Sequence, residues 1–399
     1  MQAPPSNHSN EFPEPLPLRI LIVNYEFPPL GGGGGIVSAW LAEELAKRHE
    51  VTVLTSRAFD LPQEEVRGKL RILRVPTAFR SQKMVANLPS MALFVFNGIR
   101  VGRSLVEKED FDIINTHFAV PTGPVGMALS EKAWIPNVLS IHGGDLYDPS
   151  KWSSPHRHAL LRKTVHRVVS RANVVVGQSK NTNHNLRQYF SSESQPEVIP
   201  LGIPRPPRSR PDRAKLGLHQ DDFLMISVGR LVRRKRTDEL VHLLRHIDRP
   251  GCRLIVVGDG PEESRVRKIA HRLGVDDRVV LTGFVDDRTK SDLLAASDVF
   301  VSASQHEGFG LVFLEAMAQG LPVVCYDNGG QTDYLNHELN GMVVPLNDAN
   351  GMLKAVRSLF DDRNLKNTIR RRNLSDIEAL FIESSAQKYE RLFYDCIAP

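Results

Sequence analysis

The chain has 399 residues, 41% hydrophobic, 24% charged and 7% aromatic, with 28 Gly and 26 Pro, which excludes fibrous and disordered classes and suits two globular domains. Its three cysteines, Cys252, Cys325 and Cys396, lie far apart, which argues against a disulfide framework or zinc cluster and for a reducing compartment. The net charge of +5 is concentrated: residues 51–100 carry 8 Lys/Arg against 3 Asp/Glu and residues 151–200 carry 8 against 2, whereas residues 301–350 carry no Lys or Arg at all. Residues 1–17 are polar and Pro-rich and read as a mobile tail rather than a secretion signal. Short apolar runs at Leu18–Asn24, Val51–Thr55, Ile113–Thr116, Val138–Ile141 and Val174–Gly177 predict buried parallel strands. Helical periodicity predicts helices over Ile36–Arg48, with Val37, Trp40, Leu41 and Leu45 on one face, and over the basic stretch Trp152–Arg171.

Met84–Ile99 is uncharged over 16 residues but contains Pro89, short of the roughly 20 needed to span a bilayer. Arg80, Lys83, Arg100 and Arg103 flank it. Two readings follow: an interfacial helix on an anionic membrane, or a helix packed on the sheet with its basic ends in solvent. The Pro- and Arg-rich Pro200–Pro211 breaks all periodicity and predicts a linker. After it, strands are predicted at Phe223–Val228, Leu254–Val257, Val279–Leu281, Val299–Ser302, Val323–Cys325 and Met342–Val344. Helices such as Thr237–Ile247, with Thr237 as N-cap, lie between them, and from Ala349 onward the chain reads as wholly helical. Two successive βα series imply an α/β protein of two doubly wound sheets, at 18–199 and 212–375, joined by 200–211.

Four segments could carry chemistry. Gly31–Gly35 lies between a strand and a helix, where missing Cβ atoms let a ligand approach the backbone; it is equally readable as a flexible turn, and it lacks the spacing of a dinucleotide or P-loop motif. In SIHGGDLYD, His142 and Asp145 follow a strand's carboxyl end, where such sheets bind ligands; the alternative is a loop-capping pair. His117 ends the neighbouring strand, facing the same opening or serving structure. In VGRLVRRKR, Gly229 places Arg230 at a strand tip and Lys235 stands five residues on, a fork and a point charge able to hold a diphosphate together; Arg233, Arg234 and Arg236 read as a solvated basic loop. In EGFGLVFLEAMAQG, Glu307 precedes a helix from about Leu311 to Gln319. The free N–H groups near Phe309, Gly310 and Leu311 offer an anion site, and Glu315 sits one turn in. A stretch without Lys or Arg needs such backbone donors, with cations brought from elsewhere. Two carboxylates beside an anion site suit gripping hydroxyls.

The Gly-rich loop before LAEEL, then IHGGD, VGRLVRRK, VGDGPEE, LTGFVDD and above all the two glutamates eight apart followed by EAMAQGLPVV resemble the retaining glycosyltransferases of family 4, also called group 1, from about Leu18 onward. The resemblance implies the GT-B architecture: two Rossmann-like domains facing across a cleft, with a C-terminal helix over 376–399 packing back toward the N-terminal domain. It implies that Glu307 bonds hydroxyls of the donor sugar and Glu315 the nucleotide ribose. Arg230, Lys235 and the N–H groups at Phe309–Leu311 would neutralise the diphosphate, with Gly32 and Gly33 closing from the other domain. His142 would touch the sugar near the reacting carbon, and the backbone at Phe284 and Val285 would meet the base. The family often has Asn-Gly-Val-Asp where this chain has Leu201–Pro204, a departure that affects the hinge side.

The expected reaction is transfer of a hexosyl group from a nucleotide-diphosphate sugar, UDP before GDP, to a glycan or lipid-linked hydroxyl with retained configuration. No Asp-x-Asp motif lies near the site, so no metal or other cofactor is expected, and no carboxylate stands as a clear nucleophile beneath the ring. The acceptor is expected on the N-terminal domain, near His117 and Asp145, with possible peripheral membrane contact through 80–103 and a cytoplasmic location. A nucleic-acid partner is not expected, because the basic residues are not interleaved with aromatics. Rival readings are a sugar epimerase or a phosphorylase on the same fold, the latter requiring a pyridoxal-phosphate lysine, or a silent nucleotide-sugar-binding module.

Overall fold

A computed structural model of the chain describes residues 16–83, 86–149, 151–190, 194–207, 211–247 and 249–398. The expected tail at 1–17 therefore lies outside the described residues except for Leu16 and Pro17; the Tyr394 hydroxyl donates to the Leu16 carbonyl at 2.8 Å. The N-terminal half runs β1 (Arg19–Asn24), α1 (Gly33–Leu45), β2 (Glu50–Arg57), β3 (Glu64–Arg67), β4 (Leu70–Pro76), α2 (Leu88–Lys108), β5 (Ile113–His117), α3 (Gly123–Ala133), β6 (Asn137–Ile141), α4 (Ala159–Arg171), β7 (Val174–Gly177), α5 (Lys180–Phe190) and β8 (Glu197–Val198). The C-terminal half runs β9 (Phe223–Val228), α6 (Thr237–His246), β10 (Cys252–Val257), α7 (Glu263–Arg272), β11 (Val279–Gly283), α8 (Asp287–Ala296), β12 (Val299–Ser302), α9 (Leu311–Ala318), β13 (Val323–Tyr326), β14 (Gly341–Val344), α10 (Ala349–Asp361), α11 (Arg363–Asp376) and α12 (Ile382–Ile397).

The sheet orders are β3-β4-β2-β1-β5-β6-β7-β8 and β11-β10-β9-β12-β13-β14. Each sheet thus starts in the middle, winds outward and then reverses, so both halves are doubly wound, with switch points beside β1 and β9. The central strands are apolar along their whole length because helices cover both faces: Ile20, Leu21, Ile22 and Val23 on β1 are fully buried. Three strands were not foreseen: the short edge strand β8, and β3 and β4. β3 and β4 form an antiparallel hairpin whose charges hid its strand character; Arg71 and Arg74 pair with Glu64 and Glu65 across it. An edge accepts such residues, and they discourage pairing with other chains.

Several boundaries move for local reasons. Thr237 is not the N-cap of α6 but its first residue; Arg236, at φ 48°, occupies the cap without a side-chain bond. The basic helix expected from Trp152 begins only at Ala159, after a turn at Pro155–Arg157. The helical C-terminus is three α-helices, broken where Asp362 caps α11 and where Phe381 runs extended.

Of the stretch Met84–Ile99, residues 84 and 85 fall outside the described residues. α2 starts at Leu88 under an Asn87–Ser90 capping box, with Pro89 in the first turn, where no N–H is required. Phe94 and Leu105 bury against the sheet, so the helix is packed on it, while Leu88 and Phe96 point outward, 61% and 67% exposed. Arg80 is not a free flanking cation: it is buried, donates to the Gln82 and Lys83 carbonyls and lies over the Tyr25 ring. Among the described residues no helix is long and apolar enough to cross a membrane.

The chain passes between the halves twice. Residues 200–205 leave the first domain, and 377–382 return. The two crossings pair, with Ile203 N–H on the Leu380 carbonyl and Ile382 N–H on the Ile203 carbonyl at 3.2 and 2.9 Å. Gly202 makes this possible, since a Cβ there would sit 2.6 Å from Ile382 Cα. α12 then buries Ile382, Ala386, Tyr389, Leu392 and Phe393 in the same core as Leu18, Ile20, Leu41 and Leu45, and Arg48 and His49 both hold its Glu390.

Candidate functional site

The carboxyl ends of both sheets face each other, and glycines line part of the approach. A Cβ on Gly33, at the start of α1, would lie 3.5 Å from Leu311 at the start of α9, and one on Gly143 would lie 3.8 Å from Gly308 Cα. The Gly32 N–H is held by Glu26 Oε2 at 3.0 Å, and a Cβ on Gly32 would meet nothing within 4 Å. A Cβ on Gly34 would collide with the Phe118 ring at 2.3 Å; that ring in turn lies 4.5 Å from the His142 ring. Phe118, at φ 73°, is a contact that sequence reasoning passed over, because one more apolar residue after a strand carries no signal.

On the C-terminal side the loop before α9 is shaped by Gly310, at φ 90°, and by the Tyr334 hydroxyl, which donates to the Phe309 carbonyl at 2.7 Å. Phe309 itself is buried in the core. Among the described residues no acceptor takes the N–H groups of Phe309, Gly310 or Leu311, the condition for a helix N-terminus to receive an anion. Glu307 is buried beside it, with Lys235 Nζ hydrogen-bonded to Oε1 and Arg234 NH1 3.8 Å from Oε2. Burial pushes this carboxyl up, but the Lys235 and Arg234 charges more than reverse that and hold it below its ordinary range. Arg234, expected to be one of several solvated arginines, is therefore a site residue, and it also donates to the His306 carbonyl at 2.8 Å. Its position in a 3₁₀ turn, which folds it under the loop, was invisible in a run of basic letters. Arg230 stands exposed at the tip of β9, without a partner among the described residues. Gly229, at φ 149°, precedes it, and a Cβ there would lie 3.6 Å from Lys235 Cε.

Glu315 is half-buried one turn into α9. Lys290 Nζ, on α8, sits 2.9 Å from its Oε1, while its Oε2 is buried without a partner. Burial raises the Glu315 carboxyl, with Lys290 offsetting part of the effect. Lys290 was not anticipated; it is the last residue of LTGFVDDRTK and lies on α8. Phe284, 79% exposed, and Val285 follow β11 and precede α8.

The His142 loop belongs to the other domain. Asp145 is buried, and its two oxygens accept the Ala119 N–H at 2.6 Å and the His142 N–H at 2.9 Å. Desolvation moves its carboxyl up to about 6. Its bonds build the loop, and it does not reach outward to an acceptor. His117 is 1% exposed and stands behind His142, with their ring nitrogens 2.9 Å apart, so its contacts also run inward, away from the expected acceptor. Burial lowers His142 to about 4 and His117 well below its ordinary value. Both are neutral at pH 7. The Gln178 amide fixes the His142 carbonyl at 2.6 Å.

The two halves touch through more than glycines. Asp333 Oδ2 accepts the Lys180 N–H at the start of α5 at 2.6 Å, and the Tyr147 and His306 rings meet edge-on at 5.7 Å.

Residues 31–205 match the profile described as Glycosyltransferase Family 4, and residues 209–375 match that described as Glycosyl transferases group 1. The chain is 28% identical over 370 residues to a GDP-mannose-dependent alpha-(1-6)-phosphatidylinositol monomannoside mannosyltransferase of Mycobacterium tuberculosis, covering 87% of this chain and 90% of that one. Among solved structures it is similar to sucrose-phosphate synthase from Thermosynechococcus elongatus, with TM-score 0.82, 24% identity and 96% and 99% of the two chains covered. It is also similar to HepE of Anabaena in complex with UDP, with TM-score 0.75, 20% identity and 95% and 100% covered. The two structures share its GT-B fold.

Proposed function

Because this chain belongs to the group 1 glycosyltransferases of family 4, with the GT-B fold, we propose that it moves a hexosyl group from a nucleotide-diphosphate sugar to a hydroxyl with retention of configuration. The observation that carries this reading is the cluster of Lys235, Arg234 and buried Glu307 beside the open N-terminus of α9, directly across from Gly33. A diphosphate placed there meets the ammonium, the exposed Arg230 guanidinium and the N–H groups of Phe309, Gly310 and Leu311. Glu307 accepts sugar hydroxyls, and the free Oε2 of Glu315 accepts a ribose hydroxyl.

In the reaction the bond between the anomeric carbon and the phosphate oxygen breaks, and the electron pair leaves with the diphosphate. The acceptor oxygen forms its bond from the same face, and its proton passes to the departing phosphate oxygen. Charge growing on that phosphate is what the cations and helix terminus stabilise, each such contact lowering the barrier by about 3–4 kcal/mol. In this reading Arg230, Lys235 and the α9 N–H groups supply the positive charge that the diphosphate needs, and activity is expected to persist in EDTA. A UDP-sugar is the favoured donor: the related fold of HepE was solved with UDP, although the mannosyltransferase relative is named for GDP-mannose.

The acceptor is a glycan or a lipid-linked hydroxyl. Leu88 and Phe96, outward on α2 in line with Arg100 and Arg103, support a peripheral contact with an anionic membrane. α4 adds Arg162, Lys163 and Arg167 without a carboxylate in the helix. Co-sedimentation with anionic but not zwitterionic vesicles, lost on replacing Leu88 and Phe96 by Ser, is the expected result; equal recovery with both vesicle types refutes the contact. For the reaction, a thermal-shift panel of UDP- and GDP-sugars followed by NMR of the product's anomeric proton is the test. Stabilisation by none of them, or an inverted product, overturns the reading.

A further inference from the structure

A line of buried polar groups runs inward from His142 between β5 and β6. Asn115 Nδ2 donates to the Val138 carbonyl at 3.0 Å and to Ser140 Oγ at 2.9 Å. A carbonyl only accepts, so the amide cannot be turned over and Oδ1 faces His117. His117 Nε2, 2.8 Å from that oxygen, must therefore carry a proton. Both imidazoles are buried, and among the described residues no carboxylate bonds to either ring, so a second proton on one of them would be an uncompensated charge. His117 Nδ1 is then a bare lone pair, and His142 Nε2, 2.9 Å away, must donate to it. The remaining atom, His142 Nδ1, is buried and has no partner.

We propose that Asn115 and His117 are positioning residues that lock His142 in its Nε2–H tautomer, so that its Nδ1 meets the donor sugar as a hydrogen-bond acceptor only. This rests on His142 touching the donor sugar, as proposed above. It narrows what His142 can do. The group it receives is a hydroxyl, since a phosphate oxygen has no proton to give, and His142 does not protonate the leaving group. The site can then discriminate by hydroxyl position: a sugar lacking that hydroxyl leaves a buried lone pair unmet. The line continues through Ser140 Oγ to the Tyr389 hydroxyl at 2.9 Å, which ties the tautomer to the helix that returns from the other domain.

The test uses the full chain labelled with 15N-histidine, without donor, in long-range proton–nitrogen correlation spectra at neutral pH. The His142 signals are assigned by their loss in His142→Gln. Protonated Nε2 with bare Nδ1 on both rings is expected; a protonated Nδ1 on His142 overturns the proposal. Asn115→Asp gives His117 a carboxylate partner that supports a second proton on its Nδ1, which reverses the bond. His142 should then switch to Nδ1–H, and kcat/KM for glycosyl transfer should fall roughly tenfold or more. An unswitched ring overturns the proposal. Should that variant not fold, His117→Leu removes the acceptor and should leave His142 as a mixture of tautomers; a ring still wholly Nε2–H overturns it. Failure of every donor to bind would sink the functional reading without changing the spectra of the free protein.

Discussion

Glu307 keeps its charge in a buried setting because two cations stand beside it, so the three side chains fail together. Lys235→Ala leaves the carboxylate with Arg234 alone, 3.8 Å away. Breaking a buried pair from one side costs about 3–5 kcal/mol, so the melting temperature should drop together with donor affinity, as measured by scanning calorimetry and UDP titration. An equally stable variant contradicts the pairing. Glu307→Gln keeps the shape and removes the charge. Its kcat should fall by about 10²–10³ while the fold survives, and a rate within threefold of the parent would argue against a sugar contact. The buried histidines give a pH dependence with a definite sign. His142 falls from 6.5 to about 4 on folding, so the stability it lends is complete above pH 6.5 and drains as pH drops toward 4, by about 3 kcal/mol. Asp145, raised from 3.8 to about 6, runs the other way: its contribution is greatest below 3.8 and is lost as pH rises through 6. His142→Gln removes only the first effect, so the stability gap between parent and variant should narrow from pH 7 to pH 4.5. A constant gap in melting temperature refutes the assignment. At this scale the letters pick out Glu307, Lys235 and His142 as candidates, because each lies in the segment that follows a strand's carboxyl end. Arg234, Lys290 and Phe118 stay hidden, because each acts through a turn or a neighbouring helix that no single-residue pattern announces.

Elements were more readable than residues where burial on both faces produces continuous apolar runs, as on β1 and β10. They were least readable at the sheet's edge, where β3 and β4 trade apolar letters for paired charges. Glycines mark the joints. Gly310 opens α9 at φ 90°, and a Cβ there would lie 2.8 Å from the Phe313 ring and 3.1 Å from the Tyr334 hydroxyl. Gly310→Ala therefore meets both left-handed strain, about 1–2 kcal/mol, and a displaced helix mouth. A modest loss in melting temperature with a larger rise in donor KM is the expected pattern; an unchanged KM would mean that the N–H groups of this turn do not hold the donor.

For the whole molecule, alternating strands and helices made two domains legible from sequence, whereas their mutual placement depends on contacts between distant residues. Asp333 and Lys180 are 153 positions apart, and Tyr147 meets His306 across the same opening. Asp333→Ala removes one such contact, worth about 1 kcal/mol or somewhat more. Small-angle scattering should then show a larger radius of gyration without nucleotide, and donor KM should rise a few-fold. An identical scattering curve and KM would mean that this contact does not favour the closed arrangement.

The paired crossings at 200–205 and 377–382 have a mechanical consequence. A single peptide thread lets two bodies twist about it freely, but two threads hydrogen-bonded side by side resist torsion and leave one easy axis. The halves should then part and meet as a door does on its pin, returning Leu311 to Gly33 along the same arc at every turnover. Severing α12 from the first domain would release the latch side of that door and strip the cover from Leu18, Ile20 and Leu45 in the same cut.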